Sequence, residues 1–476
     1  MLEKITKRQS VRLGVAPTSR GIYPNGPAAE AKKALYQKLD EFGVPYVTLD
    51  DICPDGLLKD IHQTPKAAAY FQQEKVDALF IPFCDFGEER AAANLAKLMN
   101  IPLLIWGPRD EAPDANGLRD RDSQCGIFSA TKMISRMGVP FTYITNSGTN
   151  SQTFEKGFRN FVSTAAVVKA MRNMRIGQVA TRPEPFWCVM YNEAELLERF
   201  NIQVVPTTIV EIELKVRKLV EENPPRLQEA VEDLRSRFTI RMDDEALVKN
   251  AALKLVLLDW AEQEELSGIA IQCWSALNLS LGISTCFVNG ELSGLGIPVA
   301  CETDIHGAVS TILAQAATQG QQPAFLADLT IRHPERDDAE LFWHCGNFPS
   351  ALAVDDPKNC VREQFGNHYP GASDWEIKGG HMTLCRFDGI KGKYSLLMGE
   401  GEGVPGPYTR GTYVYIRFND WPLWEHRFVY GPYIHHCAGI HGSYAPVLYE
   451  ACKYIPGLAP DPVEPSKEEL EDILRG

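Results

Sequence analysis

Apolar and polar positions alternate regularly along the first third of the chain. Strand-length apolar runs stand at Val11–Ala16, Pro45–Leu49, Ala78–Phe83, Pro102–Trp106 and Phe141–Thr145, each bounded by Gly, Pro or Asp. Between them lie Ala-, Lys-, Glu- and Leu-rich stretches at Pro27–Phe42, Pro65–Glu74, Glu88–Met99, Phe128–Met137 and Ser151–Met174. In the third stretch Ala91, Leu95 and Leu98 fall at i, i+4 and i+7, one stripe of a helix. Strand–helix alternation with short loops predicts a doubly wound parallel sheet with helices on both faces. A second alternation follows. Phe186–Tyr191, Val204–Ile212 and Gly268–Trp274 read as strands, and Glu193–Phe200, Glu213–Phe238 (interrupted at Pro224-Pro225) and Asp243–Glu264 as helices. From about Ile297 the pattern turns to short strands punctuated by glycine: Pro298–Glu302, Pro323–Ile331, Glu340–His344, Met382–Phe387, Tyr394–Met398, Thr412–Phe418 and Arg427–Tyr433. Two helices, Ile305–Ala317 and Ala445–Tyr454, interrupt this part. The expected fold class is therefore α/β, with two doubly wound parallel-sheet domains over 1–175 and 176–300, then a mostly β domain, a small barrel, over 301–476.

The length of 476 residues suits two to four domains. Hydrophobic residues make up 44% and charged residues 23%, as in globular proteins, which excludes a largely disordered chain. A net charge of −14 without a basic block gives a phosphate backbone nothing to hold, so nucleic acid is not an expected partner. No apolar run reaches the roughly 18 residues of a membrane span, and Met1–Arg8 has no apolar run behind its basic residues, unlike a secretory leader. The twelve cysteines are scattered without a C-x-x-C pair, as suits reduced thiols in a long core-rich chain. A cytoplasmic protein without membrane contact is the expectation.

Histidine changes the picture. Nine of the ten histidines lie from His306 onward, which places the reactive centre in or against the β domain. Three clusters carry candidate chemistry. In Ala300-Cys301-Glu302-Thr303-Asp304-Ile305-His306-Gly307, an apolar strand runs into two carboxylates. If residues 302–304 continue the strand, both acids share a face and call for a cation between them. Thr303 or Asp304 would serve equally as the cap of the following helix. The second cluster is the pair His435-His436, whose members face opposite ways in a strand. The third is His344, at a strand end before a Gly turn. Phosphate-loop, H-E-x-x-H and G-x-S-x-G motifs are absent, as is a dinucleotide fingerprint.

These residues resemble those of the L-fucose/L-arabinose isomerase superfamily, in particular its shorter fucose-isomerase-like members. The similarity is carried by A-C-E-T-D-I-H-G-A at 300–308, F-W-H-C-G-N-F-P at 342–349, G-P-Y-I-H-H-C-A-G-I-H-G at 431–442 and Y-E-A-C-K-Y-I-P-G-L at 449–458. Asp85–Glu89 and Ser147–Phe154 also look similar, so the likeness runs along nearly the whole chain. The resemblance implies ketol isomerisation of an open-chain sugar at a Mn²⁺ site formed between the second and third domains. The family's metal ligands are two carboxylates and a histidine. Its Asp falls on Asp304 and its His on the 435–436 pair, with His436 favoured. Its other carboxylate precedes Ala300, where Cys273-Trp274-Ser275-Ala276 offers no acid and Glu291 sits in an apparent loop, so Glu302 takes that place. The family also contributes an N-terminal Arg across a subunit interface, matched by Arg20, so a homo-oligomer with sites completed between subunits is expected.

Moving a carbonyl between C1 and C2 needs a Lewis acid on both oxygens and a base for the C–H proton. Glu302, Asp304 and His436 are the expected ligands, with one carboxylate also acting as base. His344, His435, Trp424, Tyr433 and Arg20 are the expected sugar contacts. Two other readings use the same residues: a non-catalytic sugar-binding protein that lost a carboxylate, and a metal-dependent hydrolase or lyase.

Overall fold

The computed structural model of the chain describes residues 10–475; the leader reading at Met1–Arg8 concerns residues outside these. The chain forms two compact units, Ser10–Lys169 together with the segment from Glu468 on, and Ala170–Lys467.

The first unit is built on five parallel strands: β1 (Leu13–Val15), β2 (Tyr46–Val47), β3 (Ala78–Pro82), β4 (Leu103–Trp106) and β5 (Thr142–Tyr143), ordered β2-β1-β3-β4-β5. β1, β3 and β4 are buried along their whole length, which is why they read as unbroken apolar runs rather than as alternation. Helices Asn25–Phe42, Thr64–Gln73, Glu89–Met99, Ser123–Arg136 and Gln152–Met171 connect or follow them. The order of strands reverses beside β1, the doubly wound arrangement expected.

The second unit opens with four parallel strands: β6 (Arg175–Val179), β7 (Gln203–Thr207), β8 (Gly268–Ile271) and β9 (Val299–Ala300), ordered β7-β6-β8-β9. It continues through β10 (Phe325–Arg332), β11 (Ala339–His344), β12 (Cys360–Glu363), β13 (Pro370–Glu376), β14 (Gly380–Ile390), β15 (Lys393–Val404), β16 (Thr412–Arg417), β17 (His436–His441) and β18 (Leu458–Pro462). Six of these close on themselves in the order β16-β11-β10-β17-β14-β15, because β15 pairs back with β16. The result is a small antiparallel barrel, as the sequence predicts.

Helix Ile305–Ala317 joins the two sheets. All thirteen of its residues are buried, and it packs against β8 on one side and β14 and β17 on the other. A helix buried on every face belongs inside a core, where its Ser310 and Thr311 hydroxyls donate to the His306 and Gly307 carbonyls. One apolar cluster accordingly runs from Ile269 and Ile271 to Phe325, Phe342 and Leu384.

Several predicted elements differ. Phe186–Tyr191 is a loop with a single 3-10 turn at Trp187–Val189, and Trp187 is exposed, so its apolar run does not enter a sheet. The 213–238 helix is two helices, Ile209–Glu222 and Pro225–Arg237, because Asn223 takes a left-handed φ and Pro224-Pro225 cannot continue the first. Arg427–Tyr433 is not a strand. Its first residues belong to helix Trp421–Tyr430, capped by the Asp420 side chain on the Leu423 N–H and started by Pro422. Glu291 lies in the buried helix Cys286–Gly294, not in a loop, and pairs with Lys254 at 2.8 Å and with Arg237. Among the described residues, no helix is long and apolar enough to cross a membrane.

Candidate functional site

Parallel sheets expose their loops at the carboxyl ends of the strands, where ligands bind. In the second unit those ends carry the loop after β6, Gln272-Cys273-Trp274 after β8 and Cys301-Glu302-Thr303 after β9. Thr181 in the β6 loop ties them together, its carbonyl accepting from Gln272 Nε2 (2.9 Å) and Thr303 Oγ1 (3.2 Å).

The acidic segment does not extend the strand. β9 stops at Ala300, and Glu302 and Thr303 both adopt left-handed backbone, φ 56° and 57°. For β-branched Thr303 this is an unusual conformation, and such residues cost about 1–3 kcal/mol each. The turn separates the two carboxylates. Asp304 becomes the N-cap of helix Ile305–Ala317, accepting from the Gly307 N–H at 2.9 Å. It is further clamped by the Arg386 guanidinium, through Nη1 and through Nη2 at 3.1 Å, and by His436 Nδ1 at 2.8 Å. Burial alone would raise its pKa, but Arg386 and His436 hold this carboxyl far below the usual carboxylate range. Both Asp304 oxygens are thus engaged, leaving neither for a cation. The chain of contacts continues from Arg386 Nε to Asp388 (2.9 Å) and from Asp388 to His306 Nδ1 (2.9 Å).

Glu302 points elsewhere, and Asp328 meets it. Asp328, in β10, sits directly opposite His436 of β17 in the antiparallel ladder. Its Oδ1 lies 3.3 Å from His436 Nε2, and Glu302 Oε2 lies 3.9 Å from the same nitrogen. Glu302 Oε2 and Asp328 Oδ1 are buried without a hydrogen-bond partner. Two orphaned carboxylate oxygens around one imidazole nitrogen are costly unless a proton or cation joins them. The donors that lie within 4.8 Å of one another, close enough to share one divalent ion, are those of Asp328, His435 and His436, with Glu302 Oε2 beside them at 3.9 Å from His436 Nε2. At metal–ligand bonds of about 2.1 Å, adjacent ligands stand roughly 3–4 Å apart. His436 is already set for it: with Nδ1–H donated to Asp304, its Nε2 lone pair faces the acids.

His344 completes the cluster differently. Its Nδ1 accepts from the Cys345 N–H at 2.9 Å, so in the neutral ring the proton sits on Nε2. That Nε2 lacks a hydrogen-bond partner and lies 3.6 Å from Glu302 Oε2 and 3.9 Å from Asp328 Oδ1. It is a donor aimed at the centre, suited to a substrate oxygen. His435 is exposed beside it, with ring centroids 4.4 Å from His436. The ring is nonetheless partly desolvated by the groups packed around it, and this desolvation and the neighbouring His436 push the His435 pKa down. Phe186 covers both histidines, with centroids 6.1 Å from His435 and 6.3 Å from His436, and meets Trp274 edge-on at 5.7 Å.

Glu302, His344, His435 and His436 are therefore brought together, with Asp304 directly behind His436. Two expected sugar contacts are not in the cluster. Trp424 is fully buried, its ring tilted against Phe418 (centroids 4.7 Å) and its indole N–H donated to Glu464. Tyr433 is buried with its hydroxyl shared by Ser395 (2.7 Å) and Asp461 (2.9 Å). Both are core residues. Arg20 belongs to the first unit, where its guanidinium lies 4.1 Å over Phe86 and its Nε donates to the Gly87 carbonyl. Sequence reasoning missed Asp328, Phe186, Trp274 and Arg386. For Asp328 the signal was present: a carboxylate inside Phe325-Leu326-Ala327-Asp328-Leu329, an otherwise apolar strand.

Comparison with known proteins bears on this site. Residues 14–172 match the family described as fucose/sulfoquinovose isomerase, N-terminal domain. The sulfoquinovose isomerase of Alkalicoccus urumqiensis is 25% identical over 374 residues, covering 77% of this chain and 79% of the relative. That of Priestia aryabhattai is 23% identical over 367 residues, covering 77% and 80%. That of Clostridium sp. (strain MSTE9) is 22% identical over 305 residues, covering 63% and 66%. With the motifs at 300–308, 342–349 and 431–442 folded into one buried cluster, the chain is similar over most of its length to sulfoquinovose isomerases and over residues 14–172 to the fucose/sulfoquinovose isomerase N-terminal domain, which supports a fucose-isomerase-like sugar isomerase, an intramolecular oxidoreductase.

Proposed function

We propose that the chain converts an open-chain sulfonated aldohexose of the sulfoquinovose type into its 2-keto isomer at a divalent-metal centre held by Glu302, Asp328 and His436. The observation that carries the metal reading is the pair of buried carboxylate oxygens, Glu302 Oε2 and Asp328 Oδ1, left without partners around His436 Nε2. The substrate class is supported by the sulfoquinovose isomerases to which most of the chain is similar. Mn²⁺ suits such a nitrogen- and oxygen-rich set.

A bound divalent ion supplies Lewis-acid polarisation of neighbouring carbonyl and hydroxyl oxygens. The rest falls to the protein. His344 Nε2–H donates to a substrate oxygen. Asp328 has 19% of its side chain exposed against 7% for Glu302, and is the carboxylate that reaches a substrate carbon to take the C2 proton and return it at C1. Asp304, fixed by Arg386, holds His436 in the tautomer that binds metal. Phe186 and Trp274 supply an apolar wall that excludes water from the exchanging proton. In this reading a homo-oligomer completes the site with Arg20 of a neighbouring copy.

The test incubates purified protein and Mn²⁺ with sulfoquinovose and, separately, L-fucose, following carbonyl position by NMR. Conversion of the sulfonated sugar to a ketose is expected. Hydrolysis or cleavage products, or binding of both sugars without isomerisation, would overturn the reading.

A further inference from the structure

Glu302 has two faces. While Oε2 looks toward Asp328 and His436, Oε1 accepts from the Cys273 thiol at 3.4 Å. Cys273 Sγ, Cys301 Sγ and a Glu302 carboxylate oxygen all lie within 4.8 Å of one another, and all three residues are buried. They come from two neighbouring strand ends: Cys273 follows β8, and Cys301 and Glu302 follow β9, so the parallel pairing of Ala270 with Ala300 fixes their approach. Around Cys301 the surroundings are those of a sulfur ligand. The side-chain amides of Asn289 and Asn347 both donate toward its Sγ, at 3.4 and 3.3 Å. N–H donors aimed at a sulfur favour its anionic, ligating form and orient it. The isomerase reaction uses neither thiol.

We propose that Cys273, Cys301 and Glu302 form a second cation site, for a thiophilic divalent ion such as zinc or cadmium, adjoining the first and sharing Glu302 with it. It depends on the proposed catalytic centre only through that shared carboxylate. Two thiols and one carboxylate make a soft set that zinc accepts with its fourth position open, whereas manganese prefers the oxygen- and nitrogen-rich side. Binding releases the two S–H protons to solvent and leaves two thiolates and one carboxylate on the ion. Occupation draws Glu302 toward the sulfurs, so the second ion also weakens metal binding on the other face.

The experiment titrates the reduced, metal-free full chain with Cd²⁺ and reads the ultraviolet sulfur-to-cadmium charge-transfer band. In parallel, protein produced with added zinc is analysed for metal content. The band should saturate at one equivalent. It should fall by about half in Cys273→Ser and in Cys301→Ser and vanish in the double variant. It should persist in a Cys286→Ser/Cys345→Ser control, which removes two other free thiols that hydrogen-bond to each other close by. It should also persist in Asp328→Asn, which disables the proposed catalytic centre, so the two ideas fail separately. Far-ultraviolet circular dichroism verifies that each variant folds, and the single variants carry the test if the double one does not. Wild-type protein with neither a cadmium band nor bound zinc, or an undiminished band in both single variants, would overturn the proposal.

Discussion

Replacing Asp304 by Asn separates two roles that its sequence position makes equally natural. As a ligand, its loss removes a metal bond. As the residue that positions His436, its loss only weakens one. The geometry sets the size of the effect. Asn retains an oxygen for the Gly307 N–H, 2.9 Å away in the wild type, and Asn is as good an N-cap as Asp, so the helix start survives. What disappears is the negative charge against Arg386 and behind His436 Nδ1, 2.8 Å away. Removing an anionic partner from a metal-ligating histidine costs about 10- to 100-fold in metal affinity, or about 1.4–2.7 kcal/mol. Breaking one side of a buried ion pair costs about 3–5 kcal/mol of stability, and Arg386 keeps Asp388 at 2.9 Å, which argues for the lower end. The assay is Mn²⁺ binding by electron paramagnetic resonance on folded protein, with Asp328→Asn beside it. Asp304→Asn should bind Mn²⁺ with an affinity lowered within that range, and Asp328→Asn should bind none detectably. Equal, complete loss in both variants would refute the positioning argument.

Other expectations follow from the same contacts. Treatment with a chelator should abolish isomerisation while far-ultraviolet circular dichroism stays unchanged, and added Mn²⁺ should restore turnover. Trp424→Phe should lower stability by about 1–3 kcal/mol, since a buried indole and its N–H bond to Glu464 are lost, yet leave KM for the sugar unaltered; a raised KM at unchanged stability would return Trp424 to the sugar site. Burial raises the Glu340 carboxyl from 4.5 to about 7, against the lowering pull of Arg332. The folded chain therefore keeps a proton that the unfolded chain has already lost. This contribution to stability is greatest below pH 4.5 and declines as pH rises to about 7, by roughly 1–3 kcal/mol. Glu340→Gln should flatten that decline in urea melts; an unchanged slope would show that Glu340 titrates normally.

How far the sequence reveals this architecture depends on whether the deciding forces are local. Strands such as Ala78–Pro82 and Leu103–Trp106 are buried on both faces, and their composition alone announces them. Arg427–Tyr433 reads as a strand because Phe428, Tyr430 and Tyr433 favour strands, although Trp421, Trp424 and Phe428 fall on a helical stripe behind an Asp cap. At the site, the motifs holding Glu302, His344 and His436 were visible, but their division of labour was not. That division turns on a left-handed φ at Glu302, which carries its carboxylate away from Asp304. It also depends on Asp328, which meets His436 only through strand pairing across more than a hundred residues. In the proposed centre the acid missing near Cys273 is supplied from the barrel by Asp328, a substitution that no local motif encodes. Arg386 is hidden for the same reason: its charge makes sense only beside Asp304 and Asp388, inside the core.

The measurement that tests the account most directly is an anomalous difference map from crystals of the protein loaded with Mn²⁺. One peak within bonding distance of Glu302 Oε2, Asp328 Oδ1 and His436 Nε2, with Asp304 still held by Arg386, is the predicted result. A peak bonded to Asp304 with Asp328 turned away, or no peak among these residues at saturating Mn²⁺, would contradict it.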